Sequence, residues 1–302
     1  MPSAPSPCIQ ITQAAGFSAD FLLVLITTLS SGMVVSHPRR KNVIVCRPQA
    51  AFVCIGDEIL SGRTRDSNLS YLGDWLNRQG IDLAEARVVA DDKAAIVDAV
   101  NALRAHYDYV FTSGGIGATH DDITAASIAG AFDLELIEDE RALSMLFANY
   151  ANRGGVNEAR RRMARMPKGA DLIRGERVGA PGFVVENVYV MAGVPGIFRA
   201  MLNSLADRLS GGQVWRSHSL EAHCGETTLA LDLTRVQQAN QQIKIGSYPK
   251  YNAERGHYTQ LVFRGPDQQA IDNAVGQAME FLHRLEVVFV DLGADNASGQ
   301  VV

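Results

Sequence analysis

The sequence of 302 residues has few cysteines and no excess of basic residues, and each shortage excludes a class of protein. Cys8, Cys46, Cys54 and Cys224 lie far apart, so no CxxC pair exists for a zinc site or a redox dithiol. Their low density argues against a disulfide framework and predicts a reducing, cytoplasmic compartment. With 28 Lys and Arg against 33 Asp and Glu, the net charge of −5 argues against nucleic-acid binding.

Long apolar runs are also lacking. Phe21–Val35 is apolar over 15 residues, which is too short for a comfortable membrane span. The basic residues Arg39, Arg40 and Lys41 follow this run instead of preceding it, which argues against a signal peptide. We therefore expect no membrane association, and we interpret residues 1–48 as an N-terminal extension, either disordered or added by an upstream start codon.

Strand and helix patterns alternate in the next segment. Apolar and β-branched runs predict strands at Ala51–Ile55, Ile81–Ala90 and Tyr107–Thr112. Helical spacing of apolar residues predicts helices between them and after them, at Asp66–Arg78, behind Asp91 and Asp92, and from Asp121 to Phe132. This alternation predicts an α/β fold, a three-layer αβα domain with a mainly parallel sheet over residues 49–211.

Later segments complete the predicted architecture. A long helix is expected over Glu138–Arg165, a strand at Val188–Met191 and a helix at Ile197–Leu209. Beyond residue 211 the rhythm changes to strand, helix, two strands and helix, which predicts a small α+β module over residues 212–290. We expect residues 291–302 to form a disordered tail.

The segment Thr112–Asp122 reads TSGGIGATHDD and carries the sharpest chemical signal. It follows a predicted strand, and ligands of parallel sheets bind beyond the carboxyl ends of the strands. Glycine amides and a helix N-terminus suit a phosphate. The candidate phosphate ligands are Ser113, Gly114, Gly115, Gly117, Thr119 and Asp121.

The two aspartates that end this loop would repel a phosphate if both faced it. One of Asp121 and Asp122 is expected to cap the following helix, and the other to hold a divalent cation that bridges to the phosphate. A plain strand-to-helix turn with a capping aspartate is the alternative. The loop matches neither GxxxxGK[ST] nor GxGxxG, which disfavours a Walker nucleotidase and a Rossmann dehydrogenase.

Three ordered motifs resemble one known family. They are GDEILSG at Gly56–Gly62 with Asp66-Ser67-Asn68, GGIGATHDDIT at Gly114–Thr124, and Pro181-Gly182-Phe183 with Gly193-Val194-Pro195. They resemble the molybdopterin-binding (MoaB/Mog) domain, in the version found in competence/damage-inducible protein A (CinA). The resemblance covers about residues 50–209 and, more loosely, the module behind it, which resembles the KH-like domain of CinA proteins. Gly196-Ile197-Phe198 departs from the P-x-E-M that the family commonly shows.

The resemblance implies a cleft that binds molybdopterin or a nucleotide, and it implies a divalent metal. Asp122 matches the aspartate of the Mog pattern, and Asp91 or its neighbour Asp92 matches the acidic residue that opens the second helix. We therefore expect Asp57, Asp91 and Asp122 as catalytic residues, with Mg²⁺ or another divalent cation held by Asp57 and Asp122.

Three functions stay open on this sequence. The first is a divalent-metal-dependent hydrolase of nucleotide pyrophosphates, such as ADP-ribose-like or FAD-like dinucleotides, as the resemblance to CinA implies. The second is a molybdopterin adenylyltransferase, and the third is a non-catalytic module that binds a phosphorylated pterin or nucleotide. The expected partner is a small phosphorylated pterin or nucleotide. We expect no nucleic-acid binding, because the α+β module lacks the GxxG loop of RNA-binding KH domains. We also expect a homo-oligomer.

Overall fold

The computed structural model describes residues 47–173, 181–253 and 256–295. Two sequence predictions therefore fall wholly or partly outside the described residues: the extension as far as Cys46 and the tail beyond Asp295. Within these ranges, no helix combines the length and the apolar character that a membrane span requires.

The first part of the chain alternates strands with helices, as its sequence pattern predicts. In chain order its elements are β1 (Gln49–Ile55), α1 (Asp57–Leu60), α2 (Asn68–Arg78), β2 (Asp82–Val89), α3 (Lys93–Arg104), β3 (Tyr109–Ser113), α4 (Thr124–Ala131), β4 (Leu136–Glu138), α5 (Glu140–Tyr150), α6 (Glu158–Arg162), β5 (Arg165–Pro167), β6 (Asp171–Ile173), β7 (Gly182–Val185), β8 (Val188–Met191) and α7 (Pro195–Asn203), followed by a 3-10 turn at Ala206–Arg208.

The main sheet is mostly parallel, which confirms the predicted fold class. Its strand order within the described residues is β2-β1-β3-β8-β7-β6. Strands β2, β1, β3 and β8 run parallel, whereas β7 is antiparallel to β8 and to β6. Because β1 and β3 are parallel neighbours, with Cys54 opposite Ser113, the loops that follow these two strands meet at one edge of the sheet.

Amphipathic helices cover this sheet, where α2 packs with α7 and α3 packs with α4. In α3 the apolar face of Ile96, Val100 and Leu103 is fully buried, and the Asp92 side chain caps the helix by accepting a hydrogen bond from Ala95 N. In α2, Leu72, Trp75 and Leu76 are buried, whereas Leu69 is exposed.

The single helix predicted over Glu138–Arg165 is wrong. Two helices, α5 and α6, replace it, because Gly154 and Gly155 have positive φ values of 81° and 70° that an α-helix cannot continue through. Asp139 and Asn157 each cap one of the two helices with a side-chain oxygen. The ends of the predicted helix belong instead to the antiparallel pair β4–β5.

The second part of the chain forms the predicted α+β module with its own core. Its elements are β9 (Arg216–Ala222), α8 (Glu226–Ala239), β10 (Lys244–Asn252), β11 (Gly256–Gly265), α9 (Gln268–Arg284) and β12 (Phe289–Asp295). The strands are antiparallel in the order β10-β11-β9-β12. Leu220, Leu261, Phe263 and Ile271 are fully buried between this sheet and the helices.

The disordered tail predicted over residues 291–302 is wrong in its first five residues. Residues 291–295 belong to β12, which pairs with β9 along the edge of the sheet. The sequence analysis missed this strand because Asp291, Gly293 and Asp295 interrupt the apolar pattern. An edge strand tolerates such residues, since one of its sides faces solvent.

Candidate functional site

A cleft of about 490 Å³ lies where β1, β3 and β8 end. Backbone and side chains of the glycine loop form one part of its lining, and the segment after β8 forms another. The residues that line it are Glu58, Thr64, Gly114, Gly115, Ile116, Gly117, Asp122, Tyr150, Met163, Ala192, Gly193, Val194, Pro195 and Ile197. The cleft therefore lies at the edge of the sheet where the sequence analysis places the ligand.

The glycine loop has a conformation that only glycine fits. Gly114 has a φ of 111°, and a Cβ there would lie 2.1 Å from Ile55 O. Gly115 has a φ of 64°, and its Cβ would lie 2.2 Å from Thr124 Oγ1. Gly114 thus allows the loop to pass directly over the end of β1, and Gly115 allows its close approach to Thr124 at the start of α4.

Two of the predicted phosphate-binding amides are already engaged. Gly114 N donates to Met191 O at 3.1 Å, and Gly117 N donates to Asp122 Oδ1 at 2.6 Å. The hydroxyl of Thr119 also donates to Asp122, at 2.5 Å. These groups of the loop therefore stabilise its conformation, and their binding of a phosphate stays a prediction.

Asp122 holds the loop together, and it does not cap α4. Its carboxylate accepts hydrogen bonds from Gly117 N, Thr119 N and Thr119 Oγ1. The capping position of α4 is Ile123, with no side-chain cap, so the predicted capping aspartate is wrong. Asp121 is exposed. Asp122 still lines the cleft.

Asp57 and Asp91 form a reciprocal pair beside the cleft. Asp57 N donates to Asp91 Oδ2 at 3.0 Å, and Asp91 N donates to Asp57 Oδ1 at 3.4 Å. Partial burial raises the pKa of Asp91, and the nearby carboxylates of Asp57, Glu58 and Asp121 raise it further. The predicted catalytic residues are therefore divided between two places, since Asp122 lines the cleft and this pair is not among its lining residues.

Glu58 is an acidic residue of the cleft that is not among the predicted site residues. Its carboxylate folds back over Gly56, where a Cβ would lie 2.7 Å from both of its oxygens. Glu58 lines the main cleft and also a neighbouring cavity of about 60 Å³. Its position directly behind β1, next to Asp57, is the signal in the sequence that could have identified it.

Asn68 is a second residue without a predicted role. Its side chain is buried, and Nδ2 donates to Ser113 Oγ and to Gly193 O, both at 2.8 Å. Ser113 is therefore buried against Asn68 and lines the smaller cavity. The Asn68 side chain, at the start of α2, therefore links the end of β3 to the segment that follows β8 through these two hydrogen bonds.

Cys54 lies near these residues but is not a nucleophile. Its thiol donates to Asp66 Oδ2 at 3.6 Å. Burial, with the charge of Asp66 beside it, raises the pKa of Cys54 to about 12. The thiolate that nucleophilic chemistry needs is therefore scarce at neutral pH.

The implied divalent cation fits these residues only if the ligand contributes to its binding. Among residues 47–173, 181–253 and 256–295, no three His, Cys, Asp or Glu side chains lie close enough together to hold a metal ion. Mg²⁺ commonly takes one or two carboxylates and completes its shell with water and substrate phosphates. Glu58 and Asp122 share the cleft and can supply such carboxylates, so this arrangement fits better than the predicted pair Asp57 and Asp122.

Comparisons with known proteins agree with this architecture. The sequence model described as FAD synthase, middle domain, matches residues 215–291. A protein of Archaeoglobus fulgidus is 31% identical over 231 residues, which cover 76% of this chain and 96% of that relative. A Caenorhabditis elegans protein named probable FAD synthase is 30% identical over 261 residues, 78% of this chain, and the chain spans 50% of that relative's length.

A solved structure shares the first domain. The protein CinA of unknown function from Thermoplasma acidophilum is 31% identical, with a TM-score of 0.50, over 53% of this chain and 97% of its own. The sequence model of the probable molybdopterin binding domain matches residues 51–211, more than half of the 302 residues. The resemblance inferred from the three motifs is thereby confirmed, and the chain belongs to the molybdopterin-binding domain family, with a second domain of the FAD synthase middle-domain type.

Proposed function

We propose that the protein is a divalent-metal-dependent hydrolase of nucleotide pyrophosphates, acting on FAD-like or ADP-ribose-like dinucleotides. One observation carries the proposal. Glu58 and Asp122 share a cleft of about 490 Å³ with the ring of Tyr150 and the apolar Met163 and Ile197. A dinucleotide needs both surfaces, because its phosphates require cationic neutralisation and its planar rings require an apolar wall.

Tyr150 is suited to the ring-binding part of this task. The guanidinium of Arg160 lies 4.2 Å from the centre of its ring. Arg160 is itself held by hydrogen bonds to Arg153 O and Gly155 O. The aromatic surface is therefore oriented before a ligand arrives, which lowers the conformational cost of stacking a base against it.

The proposed reaction breaks one phosphoanhydride bond. The oxygen of a water molecule forms a bond to one phosphorus, the bridging P–O bond breaks, and its electron pair stays on the departing phosphate. From an FAD-like dinucleotide the products are two phosphomonoesters, one of them AMP, and a proton is released. A bound divalent cation would polarise a phosphoryl oxygen. Glu58 and Asp122 would orient the phosphates in the cleft by holding that cation.

The relatives favour an FAD-like substrate over other dinucleotides. The chain shares two consecutive domain matches with a protein named probable FAD synthase, although it spans half of that protein's length. Adenylyl transfer to molybdopterin is the second candidate, favoured by the match of the probable molybdopterin binding domain. A module that binds without catalysis is the third.

The test is AMP release from FAD and from ADP-ribose by the full chain, with Mg²⁺, Mn²⁺ or Co²⁺. Asp122→Asn is a poor test variant, since it also breaks the hydrogen bonds that hold the loop. Glu58→Gln is better, because no hydrogen bond of the loop depends on it, and Asp98→Asn on the exposed side of α3 is the matched control.

Metal-dependent AMP release that falls at least about tenfold in Glu58→Gln and not in the control supports a hydrolase whose metal lies in this cleft. Absence of AMP release, with AMP transfer from ATP to molybdopterin instead, would identify the transferase. Nucleotide binding by calorimetry without either reaction would contradict both enzymes and leave a binding module.

A further inference from the structure

A separate cavity of about 490 Å³ lies between the first domain and the α+β module. Asn77, Ile81 and Asp82 line it from the first domain, and Trp215, Lys244 and Arg264 line it from the second part of the chain. It shares no lining residue with the cleft of the glycine loop. Its size lies within the range of about 300–1,000 Å³ that small-molecule sites occupy.

A buried arginine lies behind this cavity with incomplete hydrogen bonding. The side chain of Arg47 is 4% exposed, and its Nη2 donates to Asn77 Oδ1 at 3.2 Å and to Ile81 O at 3.1 Å. Its Nε and Nη1 are buried and have no hydrogen-bond acceptor among the described residues. Such groups are costly unless other interactions compensate for them.

Positive charge exceeds negative charge around the cavity. Arg264 Nη2 donates to the same oxygen of Asn77 that Arg47 uses, at 3.1 Å, so two guanidinium groups share one neutral acceptor. Burial lowers the pKa of Arg47, and the nearby charge of Arg264 lowers it too, whereas Asp82 opposes the shift from 3.3 Å. Asp82 is the only carboxylate among the residues that line the cavity.

Trp215 adds an aromatic wall between the cations. The guanidinium of Arg47 and the ammonium of Lys244 each lie 5.2 Å from the centre of its ring. Lys244 is exposed and has a flexible stem, so its ammonium can leave the ring for a ligand in the cavity. Lys244 and Arg264 offer charge-assisted hydrogen bonds, which phosphate groups favour.

We propose that this cavity binds a small phosphate-bearing molecule, with Lys244 and Arg264 contacting the phosphate and Trp215 lying against the rest of the ligand. The anion would offset the excess positive charge between the two domains. The site is independent of the proposed hydrolysis, because none of its residues lines the other cleft. Binding there would stabilise the domains against each other.

Tryptophan fluorescence tests the proposal directly, because the chain has two tryptophans, Trp75 and Trp215. In a Trp75→Phe background Trp215 is the remaining indole, and we would titrate this protein with AMP and, separately, with inorganic pyrophosphate. We expect a saturable change in Trp215 fluorescence. The apparent Kd should rise at least about tenfold in Lys244→Met and in Arg264→Met. Lys250→Met is the matched control, since Lys250 is exposed on the same strand and bonds Gln260 outside the cavity.

Each outcome decides the proposal. A response to both probes shows that the anion suffices, and a response to AMP alone shows that the organic part contributes; both support the site when Lys244→Met weakens them. No saturable response to either probe overturns the proposal. A response that is equal in the parent protein, Lys244→Met and Arg264→Met also overturns it, because the ligand then binds elsewhere. Lys244 is exposed, so its variant is expected to fold even if Arg264→Met does not.

Discussion

Thr119 donates two hydrogen bonds to one oxygen of Asp122, from its backbone N at 2.7 Å and from Oγ1 at 2.5 Å. The other oxygen of Asp122 accepts from Gly117 N at 2.6 Å. The carboxylate therefore stabilises the loop between β3 and α4 through hydrogen bonds to the loop's own residues. If Asp122 also binds a cation or a ligand in the cleft, it does so in addition to stabilising the loop.

Asp122→Asn should weaken the loop more than Thr119→Val does. The amide has one acceptor oxygen and places an NH₂ group against an N–H donor, so we expect a loss of about 1–3 kcal/mol in the free energy of unfolding. Thr119→Val removes only the hydroxyl bond, and we expect a loss of about 1 kcal/mol. Urea unfolding of both variants measures the difference. Equal losses would contradict the closing role of Asp122.

Gly114 should not tolerate alanine, although another glycine with positive φ should. At Gly114 the new Cβ would lie 2.1 Å from Ile55 O, so the backbone must shift, and we expect a loss above about 3 kcal/mol or failure to fold. At Gly155, with a φ of 70°, nothing lies within 4 Å of the Cβ. There the expected loss is about 1–2 kcal/mol from the backbone alone. Thermal unfolding compares them, and a similar loss at both sites would argue against the close contact.

Asn68→Ala should destabilise the junction of β3 and β8. The change leaves Ser113 Oγ and Gly193 O without their hydrogen-bond donor, and we expect a loss of about 2–4 kcal/mol. Asn101→Ala is the matched control, since Asn101 lies on α3 and accepts one bond from its neighbour Arg104. Hydrogen exchange of the Ser113 and Gly193 segments should increase in the first variant only. An unchanged exchange pattern would mean that Asn68 merely fills space.

The sequence predicts the sheet and its glycine loop because both depend on local patterns. Apolar runs such as Ala51–Ile55 are buried on both faces, and the alternation with amphipathic helices determines that the sheet is mainly parallel. The glycine-rich segment after β3 is likewise visible in the sequence itself, whereas the contact with Ile55 O that requires glycine at Gly114 appears only in the fold.

The contacts of the site could not be predicted in the same way. The sequence shows that Asp122 follows a glycine loop, but whether its carboxylate faces the loop or the cleft depends on three-dimensional geometry. Asn68 and Gly193 are 125 residues apart, and their hydrogen bond exists only once β8 lies beside β3. Similarly, the ends of the helix predicted over Glu138–Arg165 were wrong because Glu138 and Arg165 belong to β4 and β5, whose pairing competes with helical propensity.

Asp139 links the stability of the protein to pH through the helix that carries Tyr150. Its carboxylate accepts from Arg141 N and Ala142 N at the start of α5, and it pairs with the Arg141 side chain at 2.7 Å. The hydrogen bond from Arg141 lowers the pKa of Asp139 in the folded protein. The carboxylate therefore stabilises the fold above its ordinary pKa of about 3.9, and this contribution is lost as the pH falls through the lowered value.

Two variants separate the charge of Asp139 from its capping role. Asparagine caps a helix about as well as aspartate, so Asp139→Asn should cost less than about 1 kcal/mol at pH 7, whereas Asp139→Ala should cost about 1–2 kcal/mol. Below the lowered pKa the wild type loses its charge as well, and its unfolding midpoint should approach that of Asp139→Asn. Urea unfolding between pH 7 and pH 2 tests this convergence. A constant gap between wild type and Asp139→Asn would show that the charge of Asp139 is not what stabilises α5.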